Sequence, residues 1–134
     1  MPTDLCYNHS RIKTNQELDA FAAYIRPSDP PDPKVSLRIH NTYRVAPLCE
    51  QIGRSIALEG TALDLAWLCG MLHDVGRFEQ LRRFGTFDDS KSIDHARAGV
   101  QVLFEQGHIR DYLDDDSEDA MLRTAVEWHS AYRL

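Results

Sequence analysis

The chain has 134 residues, 43% of them hydrophobic and 27% charged, which fits one soluble globular domain with a core of ordinary size. Its formal charge of −6 argues against nonspecific binding to nucleic acid or to an anionic membrane surface. No apolar run approaches the roughly 18 residues that a membrane span needs, and the opening Met-Pro-Thr-Asp-Leu-Cys lacks the basic and apolar blocks of a signal peptide.

Cys6, Cys49 and Cys69 are odd in number and fall at no metal-like spacing, so a reducing cytoplasmic location is expected. No stretch reads convincingly as a strand, and the helical period recurs throughout. Thr14-Asn-Gln-Glu17 reads as a capping box that opens a short helix to about Ile25. The seven residues Pro27-Ser-Asp-Pro-Pro-Asp-Pro33 forbid helix and predict a stiff connector. A long helix is expected from Val35 to Leu58, with Leu37, Val45, Leu48, Ile52 and Ile56 on its inward stripe and His40 at the stripe's margin. Gly60 ends that helix and Thr61 caps the next, Ala62 to Leu72, which is apolar nearly all round and therefore the central, buried one.

Residues 76–93 read as a loop rich in Gly, Phe, Arg and Asp. Ser92 or Asp94 then starts a fourth helix that ends near Gly107, with Ala96, Val100, Leu103 and Phe104 inward. Asp114-Asp-Asp-Ser-Glu118 is a solvated acidic turn, and a last helix from about Ser117 carries Leu122, Ala125, Val126 and His129 on one face. The expected fold is an all-α bundle of about five to six helices in a single domain over 1–134. Within it, 1–33 form an N-terminal helix with its connector, and 34–134 form the bundle.

His73–Asp74 closes the buried helix. Unpaired polar groups in a core cost roughly 2–7 kcal/mol each, and a divalent cation offsets that cost because imidazole and carboxylate are both natural ligands for it. The plainer alternatives are that Asp74 caps a turn or pairs with Arg77. His40, His95 and His129 each occupy a different helix, beside or on its inward face. Metal sites in bundles are assembled from such inward side chains on separate helices. A lone histidine of this kind is nevertheless more often a hydrogen-bonded core residue than a ligand, and His9 and His108 read as core or exposed.

The series His40…His73-Asp74 resembles the signature of the HD-domain superfamily of metal-dependent phosphohydrolases. The stretches His-Asn-Thr-Tyr-Arg-Val-Ala (40–46), Leu-Cys-Gly-Met-Leu-His-Asp-Val-Gly-Arg-Phe-Glu-Gln (68–80) and Gly-Thr-Phe-Asp-Asp-Ser-Lys-Ser-Ile-Asp-His-Ala (85–96) strengthen it. The resemblance runs from about residue 16 to the end and is similar to a bacterial subgroup of small HD proteins. It implies His40, His73 and Asp74 as ligands of one divalent ion (Mn, Mg, Fe, Co, Ni or Zn), with His95 and His129 placed like the histidines of a second. Its fourth ligand is an aspartate on a later helix. Only Ser130-Ala-Tyr-Arg-Leu134 follow His129, so an HD bundle cut before its last core helix is expected, with Asp94 or the Asp114–Asp116 turn as possible substitutes.

The resemblance implies hydrolysis of a phosphomonoester or phosphodiester, a nucleotide by preference. Asp74 would position the attacking water, Arg77 would steady the phosphoryl charge, and Arg82 and Lys91 would contribute to substrate binding. For Arg82 and Arg83, plain solvation is the competing reading. Phe78, Phe84 and Phe87 either flank a base or cover the end of the bundle. A non-catalytic metal-binding or ligand-sensing module and a di-iron oxygenase on the same scaffold are the alternatives. Truncation would expose apolar surface at Leu122, Ala125, Val126 and Trp128 and favour a homodimer, unless Phe21, Tyr24 and Ile25 of the N-terminal helix fold over it.

Overall fold

The computed structural model describes residues 15–129, and all of its regular elements are helical. They are α1 (residues 15–25), α2 (Pro33–Ser55), α3 (Gly60–Leu72), α4 (Val75–Phe84), α5 (His95–Val100) and α6 (Asp119–Trp128), with short 3-10 and π turns between them. Thr14 of the expected capping box, and with it Cys6 and His9, lies outside the described residues. No described helix is long and apolar enough to cross a membrane.

α1 is part of the core. Phe21 and Ile25 are buried, and the Phe21 ring meets Tyr43 and Phe78 edge-on at centroid distances of 5.6 and 6.1 Å. The proline connector follows, with a 3-10 turn at Arg26–Ser28. Asp32 then caps α2 by accepting from the backbone N–H of Lys34 and Val35, with Pro33 in the first helical turn.

The inward stripe expected for the long helix is overturned. Leu37, Leu48, Ile52 and Ile56 are 59%, 48%, 62% and 65% exposed, and the buried face is Val35, Thr42, Ala46 and Gly53. The physical reason is close packing of α2 on α3 through small residues. A Cβ added at Gly70 would lie 2.6 Å from the Cα of Ala46, so the two backbones approach where bulky aliphatics could not fit. Arg38 shares this inward side, and His40 is turned to solvent. The helix also stops at Ser55 rather than Leu58.

α3 is the central helix, as its composition implies, with Leu65, Leu68, Gly70, Met71 and Leu72 buried. Its first helical residue is Gly60 rather than Ala62, so Thr61 is not its cap. The expected loop over 76–93 is in its first half a helix. α4 buries Val75, Phe78 and Gln80, and Gly85 ends it in a left-handed conformation (φ 70°) while donating to the Leu81 carbonyl. Short length and the arginines at 77, 82 and 83 mask that apolar face in the sequence.

α5 begins at His95 and passes at Gln101 into one π turn, Gln101–Glu105. The widened turn places Val102 and Leu103 both in the core with Ala96, Ala98 and Val100, while Phe104 is half-buried beneath the Arg123 guanidinium. In α6, Leu122 and Val126 are buried rather than exposed, Ala125 is half-buried, and Trp128 is 58% exposed.

Candidate metal centre

Four chain breaks meet at one end of the bundle. His73 and Asp74 form the turn between α3 and α4, His95 is the first residue of α5, and His129 follows the last residue of α6. A 3-10 turn, Asp89–Lys91, brings Asp89 beside them. The junctions converge because α4 and α5 start in backbone contact: a Cβ at Gly76 would lie 1.9 Å from the His95 carbonyl oxygen and 2.4 Å from the Gly99 nitrogen. Only glycine permits that approach. The result is an open cleft of about 550 Å³ bordered by His73, Asp74, Arg77, Phe87, Asp89, His95 and His129.

In all three rings Nδ1 faces a group that can only accept. His73 Nδ1 lies 2.6 Å from the Gly70 carbonyl, His129 Nδ1 2.7 Å from the Val126 carbonyl, and His95 Nδ1 2.9 Å from the Asp89 carboxylate. Each Nδ1 therefore carries a proton, and a neutral ring presents a bare Nε2 lone pair. Those lone pairs converge on Asp74. His73 Nε2 is 3.4 Å from Oδ2, and His129 and His95 Nε2 are 3.3 and 3.6 Å from Oδ1. The Nε2 atoms of His95 and His129 stand only 3.1 Å apart. Two lone pairs facing each other beside a carboxylate are unfavourable unless a proton or a metal cation lies among them. Asp74, His95 and His129 accordingly offer ligand atoms within 4.8 Å of one another.

Asp89, Asp94 and His95 form a second such grouping. The nitrogen it uses is His95 Nδ1, whose proton is already given to Asp89. That atom has no lone pair to offer, so the Nε2 grouping is the metal candidate and Asp89 orients the ring.

Electrostatics follow the same lines. Burial opposes ionisation of Asp74, but contacts with His129 and His73 and the charge of His73 and His95 outweigh it and hold the carboxyl far below its usual range. His73 is itself desolvated, yet its bond to Asp74, their attraction and the Gly70 carbonyl raise its pKa above 6.5. Burial of Asp89 is likewise outweighed by the His95 and Gln80 bonds, which take it to about 2.

Arg77 borders the cleft. Its Nη1 donates to the Phe87 carbonyl (2.7 Å), Asp89 (2.9 Å) and Gln80 (3.2 Å), and its buried Nε has no hydrogen-bond partner. Arg77 thus pairs with Asp89 and not with Asp74. Arg38 stacks its guanidinium 4.9 Å from the centroid of the Phe87 ring. Burial first, and then the neighbouring Arg77 charge, lower its pKa.

Of the residues singled out in the sequence, the structure brings together His73, Asp74, Arg77, His95 and His129. His40 is exposed on α2 and does not border the cleft. Arg82 is bound to Glu79 and Lys91 is exposed, both outside the cleft lining. Asp94 is 55% exposed at its side chain, and Asp114 lines a different cavity. Sequence reasoning missed Asp89 and Arg38. Asp89 sits in a loop with no period to mark one carboxylate among several, whereas Arg38 reads from the sequence as one more surface cation at the edge of the expected stripe.

A family profile described as HD domain matches residues 38–133. Comparison with curated proteins and with solved structures returned no match.

Proposed function

The chain belongs to the HD domain family, a metal-dependent hydrolase type of superfamily, and from that premise we propose that it is a divalent-metal phosphohydrolase of phosphomonoesters or phosphodiesters, nucleotides among them. The observation that carries the reading is the 3.1 Å approach of the His95 and His129 Nε2 atoms beside Asp74, a set of lone pairs that a divalent cation would satisfy together. His95, His129 and Asp74 Oδ1 would hold one ion. A second ion, if the centre takes two, would be held by His73 with Asp74.

A bound divalent ion supplies a Lewis acid for the phosphoryl oxygen and a water whose pKa falls to about 7 in good sites. The protein's own residues do the rest. Asp74 orients the water, Asp89 holds His95 in the tautomer that leaves Nε2 bare, and the Arg77 guanidinium stabilises charge on the transferring phosphoryl group. Arg82 and Lys91 lie outside the cleft, so a substrate role for them requires an extended substrate. The free thiols of Cys49 and Cys69 fit a cytoplasmic location.

Turnover of a panel of phosphomonoesters, phosphodiesters and nucleotides with Mn, Mg, Co, Ni and Fe tests the reading, alongside metal content by elemental analysis. Hydrolysis that is lost with bound metal in Asp74→Ala, at unchanged helicity, is the expected result. Metal binding without any turnover would make the chain a non-catalytic metal module. Oxygen consumption in place of hydrolysis would make it a di-iron oxygenase.

A further inference from the structure

Phe87 and Asp88 border two cavities at once. One is the metal cleft; the other is a groove of about 480 Å³ between the proline connector, the start of α2 and the loop after α4. The groove's more buried lining joins three apolar side chains, Val35, Leu81 and Phe87, to two small hydroxyls, Ser28 and Thr86. Its exposed rim carries three carboxylates, Asp29, Asp32 and Asp88, against one ammonium, Lys34. The shared wall is held from two directions, by Arg77 donating to the Phe87 carbonyl and by Arg38 stacked on the ring. A fixed aromatic wall is a preorganised one, since no ordering of its side chain remains to be done on binding.

We propose that this groove receives the leaving group of the phosphoester, and that it selects a neutral, ring-sized alcohol carrying a single phosphate. The proposal rests on the phosphohydrolase reading and narrows it. A phosphate in the metal cleft, beside Arg77, has the Phe87 wall next to it, and the ester's organic part reaches the groove by passing that wall. An aromatic or nucleoside group gains apolar contact with Val35, Leu81 and Phe87 there, in a space within the roughly 300–1,000 Å³ range of small-molecule pockets. A second or third phosphate would instead face the acidic rim. Nucleoside monophosphates and aryl phosphates are therefore favoured over nucleoside triphosphates.

The test is calorimetric binding to the Mn-loaded full chain, using inorganic phosphate and non-hydrolysable phosphonate analogues of phenyl phosphate, adenosine monophosphate and adenosine triphosphate, named below by the ester each replaces. Phenyl phosphate and adenosine monophosphate are expected to bind at least about tenfold tighter than inorganic phosphate, as filling an apolar pocket gives. Adenosine triphosphate is expected to bind more weakly than the monophosphate. Thr86→Phe, which fills the groove from a residue outside the cleft lining, should erase the advantage of the organic esters and leave phosphate affinity unchanged. Asp29→Asn removes a rim charge at a left-handed position (φ 59°) that Asn tolerates, and should narrow the gap between mono- and triphosphate. Organic esters binding no tighter than phosphate would overturn the groove while leaving the phosphohydrolase reading standing. Loss of phosphate binding altogether would overturn both.

Discussion

Gly76→Ala is the change that the structure marks as most damaging per atom added. Its new Cβ would sit 1.9 Å from the His95 carbonyl oxygen, 2.4 Å from the Gly99 nitrogen and 3.0 Å from the Gly99 Cα, all backbone atoms that no rotamer change can move. α4 and α5 must separate by about 1 Å before the closest contact reaches a tolerable length. Overpacking of this kind costs about 3 kcal/mol, equivalent to about 10 °C in Tm for a chain of this size. The same displacement moves Asp74 away from His95, so metal affinity should fall by about 10- to 100-fold, as it does when a ligand's support is lost. Urea denaturation of the metal-free protein and metal titration measured together separate the two effects. Gly85→Ala is the control: its φ of 70° strains an alanine by about 1 kcal/mol, but the space around it is open and it lies outside the cleft lining. A Gly76→Ala protein that melts within about 2 °C of wild type and binds metal equally well would refute the backbone contact as the device that sets the site.

Three further outcomes follow from the same geometry. Asp89→Asn leaves an acceptor for Arg77 but weakens the hold on His95 Nδ1–H, so metal affinity should fall by about tenfold with little change in Tm; equal affinity would remove Asp89 from any positioning role. Because the folded pKa of His73 is raised above 6.5, its contribution to the stability of the metal-free protein is complete below pH 6.5 and is lost as pH rises through the folded value. Metal must displace that proton, so binding at pH 6.5, below the folded pKa, should release protons into a weakly buffered indicator solution, and none released would contradict the assignment of His73 as a ligand. Ile52→Glu and Ile56→Glu should each change stability by less than about 0.5 kcal/mol, because both side chains are mostly exposed; a large loss in chemical denaturation would restore them to the core.

The sequence by itself determined what depends on local chemistry and on pattern within one helix. The all-helical class, the break at the proline connector, the central burial of α3 and the His-Asp pair at its end are all legible, because each follows from propensity, composition or adjacency. The gathering of His95 and His129 with that pair was expected from their helices and is what the bundle builds. What only tertiary structure decided was which side of a helix faces in when two sides compete. On α2 the larger aliphatics form the more conspicuous stripe, yet Ala46 and Thr42 face inward, because contact with Gly70 rewards small residues. That single choice turns His40 to solvent, and Arg38, at the border of the two faces, reaches Phe87. Likewise α4 is too short and too cationic for its period to stand out. Its place is set by Gly76 against the start of α5, a contact between residues far apart in the chain that no local pattern encodes. Asp89 becomes the partner of His95 for the same reason: a loop carboxylate acquires its role from the ring that packing places 2.9 Å away.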